Sequence, residues 1–259
     1  MTIPFNIVIL HDDIVEFGSK LQAASAVKIG KEGHITPGVY TIFYKITAYA
    51  VTLHRSILTL CETGWTHASA LLLRTIMECS ANCLAIINNE YPEYMAFKYL
   101  CHPYIQIFRD NGYATDKRTN AKYEIENAIH NLKDEIIKQK ARRYVDSKNL
   151  NIYWFMPEEK GISSIINKYG NAELKFAYGV YSMSAHAGHL GMFMFKDNPD
   201  DISINPTENP RKTKAVLISS CRWLLELLYM RNVNEILGFD AEYCELLRRI
   251  LDKEQELKA

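Results

Sequence analysis

Residues 68–87 read ASALLLRTIMECSANCLAII, a run whose only large polar side chains are Arg74, Glu78 and Asn82. About 20 uninterrupted apolar residues are needed to span a bilayer. Three polar interruptions make this stretch a buried helix of a folded domain instead. Arg74 and Glu78 stand four apart, on consecutive turns, and can pair. Breaking such a pair inside a core costs on the order of 3–5 kcal/mol. The two residues are therefore either a lock between packed helices or the polar part of a site.

The remaining chain supplies the helices that would cover this one. Ile14, Phe17, Leu21, Ala24 and Val27 recur at helical spacing over 11–29, before the glycines at 30, 33 and 38. Ile42, Ile46, Tyr49, Leu53 and Ile57 form a stripe over 39–60 that ends at Gly64. Pro92 opens a helix to Arg109. Residues 117–147 are more charged, yet Ile125, Ala128, Ile129, Leu132, Ile136 and Val145 trace one long surface helix with a buried face. A short helix ending at Gly170 precedes helices over 172–190, 212–237 and 241–257. The segment KDNPDDISINPTENPRK is a long loop with three prolines. No alternating strand series is present. The expected fold is all-α, a single bundle-like domain of about seven to nine helices. Residues 1–38 would form an N-terminal helix and connector, and 39–259 the helical bundle. Its core would pair helices 40–62 and 66–88 against 172–190 and 212–237.

Charge and cysteine usage narrow the function. Lys+Arg and Asp+Glu are both 30, so the basic excess of a dedicated nucleic-acid binder is absent. Nucleic acid could be met only through a local basic patch, KQKARR at 138–143, which equally suits a helix C-terminus. Six scattered cysteines read as packed small hydrophobes of a reduced cytoplasm. The start MTIPFNIVILHDD lacks the basic region of a signal peptide. A cytoplasmic protein with no membrane partner is the expectation.

A second polar cluster lies in YSMSAHAGHLG, residues 181–191. His186 and His189, at i,i+3, could hold a metal with Glu78 as third ligand, but no second E-x-x-H pair accompanies them. Neither a metal nor a cofactor is expected. Ser182, Ser184, His186 and Glu78 include the types needed for an activated nucleophile. No G-x-S-x-G elbow or Gly-rich phosphate loop supports that chemistry. The small residues alone would serve a close helix crossing. The candidates for catalysis are Arg74, Glu78, Ser184 and His186; those for binding are Tyr178, Tyr181, Ser182 and His189. Two polar clusters in separate apolar helices need each other for hydrogen bonds, so Arg74 and Glu78 are expected to meet the 178–189 segment.

The stretch from LHRSILTL to AFKYL, followed downstream by YGVYSMSAHAGH, resembles a bacterial helical family known as DUF5677. The family carries an Arg and a Glu in an L-x-R-x-x-x-E setting, which Arg74 and Glu78 match. Its downstream Tyr, Ser and His segment is matched loosely by Tyr181, Ser184 and His186. The resemblance covers roughly residues 40–195 and implies no established activity. The helical HEPN ribonucleases offer a second comparison. Their mark is an Arg followed four to six residues later by a His, and no arginine here has one. Two functions follow as expectations. The first is a binding or regulatory module for an unknown ligand. The second is a hydrolytic effector on RNA, with His186 as general acid/base and Arg74 stabilising anionic charge. Helix 212–237 is apolar nearly all round, so it must be central or cover a partner, with a homodimer as the favoured case.

Overall fold

A computed structural model of the protein describes residues 3–28, 37–147, 154, 161–185, 210–230 and 238–258. Among these residues every regular element is a helix. They are α1 (Phe5–Lys28), α2 (Pro37–Glu62), α3 (Thr66–Ile87), α4 (Pro92–Arg109), α5 (Thr115–Asn131), α6 (Glu135–Asp146), α7 (Ile162–Tyr169), α8 (Ala172–Ala185), α9 (Pro210–Leu228) and α10 (Asp240–Lys258). The all-α class expected from periodicity is observed, with ten helices among the described residues rather than seven to nine.

The additional helix comes from residues 117–147, which are two helices and not one. Leu132 takes an extended conformation, and the Asp134 carboxylate accepts from the backbone N–H of Ile136 (2.6 Å) and Ile137 (3.2 Å). That is a side-chain N-cap, and it restarts the helix. The break also resets the helical phase. Ile136 is 59% exposed while Ile137 is buried, so the expected stripe fails at that one position.

The chain divides into two compact units: Met1–Ile35, Tyr44–Ser80 and Gly170–Ala259 form the first, Thr36–Phe43 and Ala81–Tyr169 the second. In the first unit α1 packs on α9 and α10, and α9 packs on α10. Phe17 of α1 is fully buried with its ring edge-on to Phe239. Along α9, Leu217, Ile218, Cys221, Leu224 and Leu225 are all buried, so the apolar faces of this helix are covered within the chain. Residues 231–237 of the expected 212–237 helix lie outside the described residues.

The turn between α2 and α3 sets the register of the site. Gly64 sits at φ +85°, where an L side chain is strained. Trp65 N–H donates to Leu60 O (2.8 Å) and Gly64 N–H to Cys61 O (3.2 Å). This pair of bonds is a Schellman cap. Ser69 then bonds Cys61 Sγ (3.4 Å), and Thr66 bonds Thr213 of α9 (2.6 Å). These contacts tie α3 to α2 and α9.

By length and apolar content Ala68–Ile87 could cross a membrane. Leu73, Ile76, Met77, Ala81 and Ile86 are buried within the protein, and a core helix meets the same test.

In the second unit one apolar cluster joins Phe97, Cys101 and Ile105 of α4, Ile125, Ile129 and Leu132 near α5, and Ile137, Ala141 and Tyr144 of α6.

Candidate functional site

Arg74 and Glu78 project from one face of α3, between the buried Leu73 and Met77. A hydrogen bond from Leu174 N–H to Asn171 Oδ1 (2.8 Å) opens α8. One turn further on, Tyr178 is buried. Its hydroxyl meets both α3 residues. Arg74 Nη2–H donates to Tyr178 Oη (3.0 Å), Tyr178 O–H donates to Glu78 Oε1 (3.2 Å), and Arg74 Nε–H donates to the same Oε1 (3.0 Å). Three side chains thus close a hydrogen-bonded ring. The guanidinium carbon also stands 5.2 Å from the centre of the Tyr178 ring.

The ring is partly screened from water, with the Arg74 side chain 23% and the Glu78 side chain 29% exposed. Burial pulls the guanidinium pKa down, but the Tyr178 bond and the Glu78 charge outweigh it and hold the pKa above its ordinary value. Arg74 is a fixed cation beside the Glu78 carboxylate. A guanidinium has five N–H donors. Two are used within the ring, and the other three have no partner among the described residues. Glu78 Oε1 accepts twice, while Oε2 accepts from none of the described residues. Among the described residues the ring therefore holds unused donors on Arg74 and an unused acceptor on Glu78.

The other candidates fall differently. Tyr181 turns to α9 and donates to Ser219 Oγ (3.2 Å). Burial raises its phenol pKa, and the Ser219 bond offsets part of the rise. Ser182 is half-buried, and its Oγ has no hydrogen-bond partner among the described residues. Ser184 lies on the last turn of α8, with its side chain outside the described residues. His186 and His189 also lie outside them. Among the described residues no group of three or more His, Cys, Asp or Glu side chains could hold a metal.

Four buried cysteines are unsuited to nucleophilic work. Burial pushes the Cys79 thiol up to about 12, with the Glu78 charge adding to it, and burial also pushes Cys101 to about 12. Cys61 and Cys221 are likewise raised by burial. A thiol in that range is not a thiolate at neutral pH. The basic patch on α6 is partly committed. Lys138 pairs with Glu135 at 2.7 Å, and Lys140 stands 4.2 Å over the Tyr91 ring.

Two buried polar groups escaped the sequence reading. Lys98 of α4 is completely buried, 4.9 Å from the centre of the Tyr144 ring and 5.5 Å from that of Tyr94. One turn on, His102 Nδ1 bonds the Tyr144 hydroxyl (2.9 Å), which donates in turn to Trp154 O (3.2 Å). In the first unit, His11 of α1 and His54 of α2 stack at 3.4 Å and are both buried. The available signal was the same one that marked Arg74 and Glu78, a polar residue inside an apolar helical stripe.

The family model described as a family of unknown function, DUF5677, matches residues 40–202. No curated protein and no solved structure matches the chain.

Proposed function

Because the chain belongs to the DUF5677 family, whose model spans both halves of the ring, we propose that it is a binding module whose recognition element is Arg74–Glu78–Tyr178. The observation that carries this reading is that Arg74 N–H donors and Glu78 Oε2 have no partner among the described residues. The charges cancel, so the ring suits a small polar ligand with an acceptor next to a donor, such as an amide or a nucleobase edge. A polyanion would instead require a net positive surface and would bind with a steep salt dependence.

Thermal unfolding with three probes tests the reading: guanosine, nicotinamide and inorganic phosphate. Guanosine or nicotinamide is expected to raise the midpoint of the wild type, by the equivalent of about 2.7 kcal/mol at a hundredfold excess over Kd. Glu78→Gln and Arg74→Met should abolish the response, and phosphate should produce none. Stabilisation by phosphate alone, equal in wild type and Glu78→Gln, would contradict it.

The same ring admits a hydrolytic effector acting on RNA, with Glu78 Oε2 and His186 handling protons and Arg74 stabilising developing negative charge. The observation favouring it is again Glu78 Oε2, which has no partner among the described residues. Growth arrest on expressing the wild type, relieved by both Arg74→Ala and His186→Ala in folded protein, would select this second reading. Equal tolerance of all three proteins would select the binding module.

A further inference from the structure

We propose that the His11–His54 stack is an acid-operated latch, holding the N-terminal half of α1 on α2 while both rings are neutral and releasing it when either is protonated. The rings lie 3.4 Å apart and 4° from parallel. His11 is 1% exposed and His54 is 0% exposed. His11 Nε2 donates to His54 O at 2.9 Å, which selects the tautomer with the proton on Nε2. Among the described residues neither ring nitrogen of His54 makes a well-formed hydrogen bond. A proton added to His54 would leave a buried imidazolium whose nearby acceptor, the His11 backbone, is outweighed by burial.

Among the described residues no carboxylate compensates such a charge. Arg55 of α2 repels a proton on either ring. On α1, Asp12 is exposed, Asp13 is paired with Arg249 of α10 at 2.7 Å, and Glu16 is paired with Lys20. On α10, Glu242 also binds Lys20, and Glu254 binds Arg222 of α9. Glu226 of α9 accepts from Tyr243. Burial lowers the His11 pKa to about 4 and the His54 pKa well below 6.5.

The sign follows from linkage. A histidine whose folded pKa is depressed contributes its full stability above the unfolded value near 6.5. That contribution is lost as pH falls from there through the folded value. Release is local because the second half of α1 is held separately. Phe17 packs on Phe239, and a Cβ placed on Gly18 would lie 3.2 Å from Leu228 Cδ1. Ahead of His11, Phe5 is 77% exposed and Ile9 39% exposed, leaving Ile7 and Leu10 as the buried anchors.

Hydrogen exchange read by mass spectrometry at pH 7.5 and pH 5, corrected for intrinsic rates, tests the latch. Residues 5–14 of the wild type should lose protection by more than about 30-fold, the factor for His11 alone moving from 6.5 to about 4, with His54 adding to it. Residues 240–258 should keep theirs. In His11→Gln/His54→Phe, which retains an N–H donor at 11 and an aromatic ring at 54, the loss should fall below about twofold. If that double variant does not fold, His54→Phe alone should show a smaller loss than the wild type. Unchanged wild-type protection would overturn the latch. So would an equal loss in the variants, or a loss spread equally over residues 240–258.

Discussion

Replacing Lys98 by alanine is expected to lower unfolding stability by about 2–5 kcal/mol, the range for emptying a core position of this size. Lys98 is completely buried, and its ammonium is held near the faces of Tyr144 and Tyr94. Its four-methylene stem packs as an apolar side chain would. Attraction between a desolvated ammonium and an aromatic ring contributes about 2 kcal/mol or more. Taking that ammonium out of water costs several kcal/mol. The two effects oppose each other, and filling the space is expected to matter more than carrying the charge. Lys98→Met keeps the volume and should cost less than about 1.5 kcal/mol. Urea unfolding followed by tryptophan fluorescence reads both variants. Equal losses for alanine and methionine would show that the charge, and not the volume, is what the second unit depends on.

Glu78→Gln should cost about 1–3 kcal/mol, less than the 3–5 kcal/mol of a fully buried pair because roughly a quarter of each side chain meets solvent. The substitution keeps the shape of the side chain and strands the Arg74 cation. Arg74→Met strands the carboxylate instead and should cost a similar amount. The double variant removes both charges, so its loss should fall short of the sum of the single losses by about 1 kcal/mol or more. Additive losses in urea unfolding would mean that the two charges do not sense each other.

The helical stripes and the polar interruption of α3 were legible because both are local patterns. Ile42, Ile46, Leu53 and Ile57 follow the 3.6-residue period and are all buried. Tyr49 was misplaced on that stripe. It is 53% exposed, and Ala50 occupies the buried position. A tyrosine reads as the stronger hydrophobe, but Ala50 fits a tightly packed helix face. The break at 132–134 was missed because Asp134 acts through two backbone N–H groups, a role that its place in a charged segment conceals. Arg74 and Glu78 announced each other at four residues' distance. The partners of His11 and His102 are 43 and 42 residues away, and no local pattern reports a contact that the fold creates. Tyr178 was singled out only as one of several polar residues on its helix. Its selection over Tyr181 follows from α8 turning one phenol to α3 and the other to Ser219.

Arg74, Glu78 and Tyr178 form one preorganised hydrogen-bonded ring. Nitrogen–proton NMR of the Arg74 guanidinium, with its Nε–Hε signal assigned by loss in Arg74→Lys, tests this most directly. The Nε–Hε proton should exchange with water more slowly than that of Arg248, whose side chain is 62% exposed. It should lose that protection in both Tyr178→Phe and Glu78→Gln. An Arg74 signal that exchanges as fast as Arg248, or that neither substitution changes, would contradict the ring.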